Sequence, residues 1–334
     1  MFDVITIGTA TRDVFLTSTA FKVLRDPAHL EKIGFKTGEA ECFALGSKIE
    51  ISEPIFTVGG GAINAATTFK RQGLKTAALI RLGDDLSGQA ILNFLKNEDI
   101  TPIAVTAKNY GTAHSTILLT AAGERTILVY RGASGNLSSQ EIPFRKIKSR
   151  WVYLAPGQIP LSIIQQIVGY LKKHGIKIAI NPSKHYLDSV VKKPEQFLRN
   201  FDVVILNREE ASYLTGVAYK NDRAIFKKCD GIISGIAVMT DGAHGAKASD
   251  GRYLYTAGVF KEKKLVDRTG AGDAFGAGFV AGLISKNDIN YALRLASANA
   301  TAVVEAIGAT EGILSKKDLM VNRFKYLDLD VEPL

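Results

Sequence analysis

Two cysteines, Cys42 and Cys229, are all that 334 residues contain. So few exclude a disulfide framework and a cysteine-built zinc site and fit a reducing compartment, which makes the cytoplasm the expected location. Nor does any apolar run approach the roughly 20 residues that a membrane span needs. Met1 to Gly8 opens as a buried-strand pattern instead of a basic region followed by an apolar stretch, so neither export nor membrane insertion is expected. Histidine is scarce, and His29, His114, His174, His185 and His244 form no metal-ligand spacing. Gly-x-x-x-x-Gly-Lys-Ser/Thr, His-Glu-x-x-His and Gly-x-Ser-x-Gly are also missing, which removes the Walker phosphate loop, the helical zinc-protease site and the hydrolase nucleophile elbow. Acidic residues are in deficit: 33 against 42 basic ones leave a net charge of +9. The excess is spread over pairs such as Lys172-Lys173 and Lys263-Lys264, and its densest cluster, Arg145 to Arg150, lacks interleaved aromatics. A nucleic-acid partner is therefore not expected, whereas polyanionic small substrates such as nucleotides suit the balance.

Material for a core is ample, with 46% hydrophobic residues, and the length favours one large α/β domain or a domain with an appendage. Residues 2–8 read as a buried strand, followed by Thr9 to Asp13. Ligands in open α/β sheets bind beyond the carboxyl ends of strands, so Asp13 either binds hydroxyls or caps a turn. Between 14 and 57 no long helical pattern occurs, but Glu41 to Gly46 and Lys48 to Ser52 alternate like exposed strands. Val58 to Gly73 is a glycine turn entering a helix, with Asn64 in its first turn and Gly73 as its stop. A strand over 76–83 and a helix over 89–97 follow. Ser115 to Thr120 and Arg125 to Tyr130 read as an antiparallel hairpin around a turn at 121–124. From Trp151 strands and helices alternate again, with strands at 151–154, 176–181, 202–207 and 235–240, a helix over 161–174, and a later hairpin turning at Asp250-Gly251. Asn207 is placed as a helix N-cap with Glu210 as its capping-box partner; the competing reading gives the pair metal-bound water near phosphates. Nothing marks a linker or a repeat, so 1–334 is expected to be one βαβ-based domain with a strand-rich elaboration in its first 130 residues.

The chain is organised around Leu265 to Leu283. A glycine-bearing turn, Thr269-Gly270-Ala271-Gly272, leads into a helix whose Phe275, Phe279 and Leu283 recur every four positions and so face a core. Gly272, Gly276 and Ala277 make a face of small residues, suggesting close approach by something else. The unpaired amides of the first turn, with the helix dipole behind them, form an anion site. Asp273 lies inside that turn, where the dipole favours its ionised form, suited to act as a general base or simply to complement the helix end. A dinucleotide fingerprint is the rival for the spaced glycines, but no strand ending in an acidic residue follows at the required distance.

In chain order, Gly8 to Asp13, Gly59-Gly60 with Asn64, Gly83-Asp84-Asp85 to Gly88, Asn207 with Glu210, Thr240 to Gly245, Asp267-Arg-Thr-Gly-Ala-Gly-Asp273-Ala-Phe and Asn299 to Ala309 resemble the ribokinase (PfkB) family of carbohydrate and nucleoside kinases. The resemblance implies a three-layer α/β/α sandwich with a mostly parallel central sheet and a small β-sheet lid, formed by inserted strands at about 10–57 and 100–130. It implies an ATP-dependent kinase acting on a sugar or nucleoside, the alternatives being a phosphosugar kinase of the same family and a non-catalytic nucleotide- or sugar-binding protein. Asp273 would deprotonate the acceptor hydroxyl, and the amides of Gly270, Ala271 and Gly272 would form the anion hole. Asp13, Gly59, Gly60 and Asn64 would bind the acceptor. Asn207 and Glu210 would hold Mg2+ through water, Thr240, Gly242 and Gly245 would line the ATP phosphate and ribose side, and Asn299 would lie near the adenine. Asp267 and Thr269 match positions that can help bind a monovalent cation such as K+. The stretch from Asp13 to Gly59 is longer than in compact relatives, with an extra helix expected over Pro27 to Lys32; it bears on the acceptor pocket and on a homodimer through the lid. Arg125 and Arg131 border that region and could grip a phosphosugar.

Overall fold

The computed structural model describes residues 1–35, 37–120 and 125–334. Its strands are β1 (Phe2–Gly8), β2 (Thr11–Thr17), β3 (Lys22–Arg25), β4 (Glu39–Cys42), β5 (Ile55–Gly59), β6 (Thr76–Gly83), β7 (Thr101–Ala107) and β8 (His114–Leu119). These are followed by β9 (Arg125–Tyr130), β10 (Ser149–Ala155), β11 (Lys177–Ile180), β12 (Val203–Asn207), β13 (Ile236–Thr240), β14 (Ala246–Ser249), β15 (Tyr253–Ala257) and β16 (Leu329–Pro333). The helices are α1 (Pro27–Leu30), α2 (Gly61–Arg71), α3 (Leu86–Asn97), α4 (Leu161–Lys173), α5 (Lys184–Val190), α6 (Pro194–Leu198), α7 (Arg208–Thr215), α8 (Asp222–Ile232), α9 (Ala271–Lys286) and α10 (Ile289–Val303).

Ten of the strands form one sheet in the order β16-β15-β14-β13-β12-β11-β10-β1-β6-β7. It is parallel from β13 to β7 and antiparallel from β13 to β16. The parallel strands are apolar at consecutive positions, as strands covered on both faces must be. Ile5, Ile7, Val152, Leu154, Ile178, Ile180, Val204 and Leu206 point into one core, shared with Ile164, Leu187, Phe197, Leu214 and Phe226 of α4 to α8. The alternate residues Val4, Tyr153, Ala179, Val203 and Ile205 point into the other, shared with Phe69 of α2, Phe279 of α9 and Leu295 of α10. The period-2 alternation of side chains thus builds three layers, each fully buried branched side chain contributing roughly 1.5–3 kcal/mol of transfer free energy.

Helix α9 is buried continuously from Ala274 to Leu283. Phe275, Phe279 and Leu283 enter the core as their spacing requires. The close approach occurs partly where the small-residue face did not place it. A Cβ at Gly278 would lie 3.0 Å from the Ala296 Cα and one at Gly282 2.5 Å from the Ala292 Cα, so these glycines let α10 pack directly on the α9 backbone. At Gly276 the neighbour is the Tyr153 hydroxyl, 2.5 Å from where a Cβ would be, while Gly272 is open.

A second sheet, β5-β2-β8-β9, forms the lid. The expected hairpin is present, with Ser115 opposite Val129 and Leu119 opposite Arg125; its turn at 121–124 lies outside the described residues. Two expectations for this region are corrected. Residues 101–107 are β7 of the main sheet, paired parallel to β6, because α3 returns the chain beside β6 as a βαβ crossover. Lys48 to Ser52 is not a strand, since β5 already occupies the edge of β2 from Thr11 opposite Gly59 to Phe15 opposite Ile55. Glu39–Cys42 instead pairs with β3 in a separate two-stranded sheet. The helix expected near Pro27 is α1, capped by the Asp26 side chain and continued as a 3-10 turn over Glu31–Ile33. Among the described residues no helix is long and apolar enough to cross a membrane.

Candidate active site

Gly270 turns the chain into α9 at φ 79°, and a Cβ there would lie 2.4 Å from the Ala309 Cβ, so both conformation and space demand glycine. The amides of Gly272 and Asp273 have no intrahelical acceptor, while that of Ala271 donates a long 3.4 Å bond to the Arg268 carbonyl. Asp273 is half-buried, and its Oδ2 accepts from Asn64 Nδ2 at 2.8 Å. Burial pushes its carboxyl above the usual carboxylate range, against the lowering effect of the Asn64 bond. The shift runs opposite to the one the helix N-terminus alone would give. Beneath it the buried Tyr153 hydroxyl has no partner among the described residues, and burial together with the Asp273 charge pushes its pKa well up.

Two clefts meet at this turn. The first, of about 270 Å³, lies beyond the carboxyl ends of β1 and β10, neighbours in the sheet from which the chain proceeds in opposite directions. Open α/β sheets bind ligands at such a switch point. Thr9, Thr11, Asp13, Gly60, Asn64, Ser115, Ser134, Gln158, Thr269, Gly270 and Asp273 line it, with Val129, Tyr130 and Arg131 from the lid side. Asp13 is 6% exposed, and burial raises its pKa against the hydroxyls of Ser115 and Thr11 and the Arg12 charge. Asp13 Oδ1 and Asn64 Oδ1 are buried without a partner among the described residues. Gly59 serves Asp13, since a Cβ there would lie 2.4 Å from its Oδ2. Gly60, at φ 95°, passes so close to Thr9 that a Cβ would lie 2.6 Å from its carbonyl oxygen.

The second cleft, of about 410 Å³, lies on the other side of the turn and includes Ala271 and Gly272 in its wall. Thr240, Gly242 and Gly245 line it as the sequence suggests, together with Arg268, Phe260 and Leu265. From α10 it receives Ser297, Ala300, Thr301 and Val304, which lie on one helix face by their spacing. Asn299 lies on another face and is corrected from an adenine neighbour to a fully buried tie. Its Nδ2 donates to the Ala274 carbonyl at 2.9 Å and the Thr68 hydroxyl at 3.2 Å, and its Oδ1 accepts from Leu314 N at 3.0 Å.

Asn207 and Glu210 line neither cleft and form the capping box read from the sequence: Asn207 Oδ1 accepts from Glu210 N at 2.8 Å and Glu210 Oε2 from Asn207 N at 2.9 Å. Asn207 stands opposite Thr240 across β12 and β13, which places the pair at the edge of the second cleft. Burial raises the Glu210 pKa against the Asn207 bond, with Glu209 adding to it. A half-buried carboxylate with a free oxygen there fits a water-mediated hold on a divalent ion carried by phosphates. Asp267 and Thr269 meet each other: Asp267 Oδ1 accepts from Thr269 N at 2.9 Å, from Thr269 Oγ1 at 2.7 Å and from Arg125 Nη1 at 2.9 Å, while Oδ2 accepts from Gly308 N at 3.2 Å. Oδ1 is thus filled, and the carboxylate charge is met by a guanidinium. Sequence reasoning left Thr9, Ser115, Ser134 and Gln158 unassigned; their signal was position, shortly after β1 and β10, on the hairpin or in the 3-10 turn that follows it, not residue type.

Residues 28–317 match the pattern described as pfkB family carbohydrate kinase. The chain belongs to that family. This pfkB-family phosphotransferase is 27% identical over 271 residues to a ribokinase of Haemophilus influenzae, covering 78% of this chain and 86% of that protein. It is 29% identical over 296 residues to a 5-dehydro-2-deoxygluconokinase of Clostridium tetani, covering 79% and 85%. Its fold is that of the Arabidopsis thaliana ribokinase solved with ribose and ATP, at a TM-score of 0.75 and 20% identity, covering 97% of this chain and 99% of that one. The kinase fold and the family follow from these likenesses, and the acceptor of the phosphoryl group is an alcohol, as in the kinases named.

Proposed function

We propose that this enzyme transfers the γ-phosphoryl group of ATP to a hydroxyl of a small sugar bound in the first cleft, with Asp273 as general base. The supporting observation is the position of Asp273: its side chain lines the first cleft, and the turn that carries it separates that cleft from the second. ATP in the second cleft would bring its terminal phosphate to the open amide of Gly272, with those of Gly270 and Ala271 beside it, where developing negative charge is met by preorganised donors. The acceptor oxygen attacks the γ-phosphorus, its proton passes to Asp273, and ADP leaves. A base raised in pKa by burial takes that proton more readily. Asn64 holds Asp273 in place through the 2.8 Å bond. Asn207 and Glu210 would hold, through water, Mg2+ carried on the nucleotide phosphates, which would supply charge neutralisation at the transferring group.

Sugar hydroxyls suit this cleft because Asp13 Oδ1 and Asn64 Oδ1 are buried acceptors needing donors, which a free sugar or the ribose of a nucleoside provides. A phosphorylated sugar is the second reading, favoured by the exposed Arg131 on the cleft wall. The test is ADP release from ATP and Mg2+ across pentoses, hexoses, their phosphates and nucleosides. Release dependent on a sugar supports the proposal and release with nucleosides alone reassigns the acceptor. ATP binding without release on any acceptor contradicts the kinase reading.

A further inference from the structure

We propose that Arg125 takes the place of a monovalent cation at the anion-hole turn, so that lid strand β9 itself positions the turn that receives the transferring phosphoryl group; this rests on the kinase reading of the site. The Asp267 side chain is 2% exposed, and a carboxylate buried that deeply needs a cationic partner. The Arg125 guanidinium supplies it at 2.9 Å. The same Asp267 Oδ1 also accepts from the backbone N–H and the hydroxyl of Thr269, so three donors fill it.

The carboxylate braces the turn from both sides. It binds Thr269, the residue before Gly270, and it binds Gly308, the residue before Ala309, whose Cα lies 2.8 Å from where a Gly270 Cβ would be. A shift of Asp267 therefore moves the first amides of α9. Arg125 reaches this brace from the start of β9, while Val129 and Tyr130 at the other end of the same strand line the acceptor cleft. Val129 stands opposite Ser115, whose hydroxyl bonds Asp13. An acceptor that fixes Tyr130 and Asp13 thus fixes the strand that carries Arg125. A free ion would neutralise Asp267 whatever the lid does; a guanidinium on the lid does so only when β9 is seated.

The experiment compares wild type with Arg125→Ala and Arg125→Lys, in potassium or tetramethylammonium salts, by acceptor-dependent ADP release and by thermal melting. Wild type is expected to give the same turnover and the same Tm in both salts. Arg125→Ala is expected to lose about tenfold to a hundredfold in kcat with a smaller change in KM for ATP, the scale expected when a catalytic group is displaced by about 1 Å. Potassium or millimolar guanidinium should restore part of that loss, because the carboxylate is then open to a cation, and Arg125→Lys should fall between. Potassium should raise the Tm of Arg125→Ala by about 1–2 °C and leave wild type unmoved. Wild-type turnover that requires potassium, an unchanged kcat in Arg125→Ala, or an equal Tm response to potassium in both proteins overturns the proposal. Absence of wild-type turnover on every acceptor defeats the kinase reading instead, and the melting comparison still decides the role of Arg125.

Discussion

Asp273 answers to two opposed influences, a helix N-terminus that favours its charge and a buried setting that disfavours it. Burial sets the direction, so the folded-state pKa lies above the unfolded one. Between those two values the native chain binds more protons than the unfolded chain, so the stability contributed by this group is present below the window and lost as pH rises through it. Asp273→Asn should therefore melt at neutral pH at a temperature equal to or above that of wild type, as differential scanning calorimetry would show. The same raised value should place the acid limb of the kcat/KM profile for the acceptor above the ordinary carboxylate range. Because the Asn64 bond lowers that pKa, Asn64→Ala should move the limb to still higher pH; a limb that stays in place would separate the two residues. Gly59→Ala should act on Asp13 and its neighbour Thr11, driving a methyl group into Asp13 Oδ2 and raising the acceptor KM by about tenfold or more with ATP binding intact. These residues were legible because special types at special places, a carboxylate in a first helical turn or paired glycines after a strand, have few other uses. Asn299 entered only through the resemblance, as a neighbour of the adenine; whether it faces a cleft or a core depends on a helical face that its neighbours in space decide.

Helices α9 and α10 show what glycine does at the scale of an element. Each glycine costs up to about 1 kcal/mol of helix propensity relative to alanine, and here that cost is offset by packing that needs the missing Cβ. Gly282→Ala would place a Cβ 2.5 Å from the Ala292 Cα, backbone that cannot turn aside. The variant should lose about 1–3 kcal/mol despite gaining propensity, read as a lower midpoint in urea, whereas propensity alone would raise it. The element boundaries of the parallel sheet were legible because strands buried on both faces read as continuous apolar runs. The edges were not. Residues 48–52 alternate like a strand yet find no free edge, and Leu329–Pro333 became β16 through pairing with β15, which nothing local announces. Strand formation at an edge depends on what lies beside it.

At the scale of the molecule, the first cleft arises where the chain, having laid down β1, turns first to β6 and later to β10 on its other side, and the lid closes it with β8 and β9. The layered sheet was expected from alternation and resemblance; the joining of lid and turn through Arg125 was not, because an arginine on a hairpin carries no mark of a partner 142 positions away. We propose that a dimer forms through the lid, because β9 is an edge strand with Ile127, Leu128 and Val129 41%, 56% and 50% exposed, a surface that single chains rarely leave uncovered. Sedimentation should show a dimer, dissociated by charged substitution at Leu128. The central claim is that Asp273 removes the acceptor proton between the two clefts. Turnover of Asp273→Asn, measured beside its affinity for ATP, tests it most directly. The account predicts a fall of about 10² to 10⁴ in kcat, the usual contribution of a general base, with ATP affinity retained. Full turnover in that variant would contradict it.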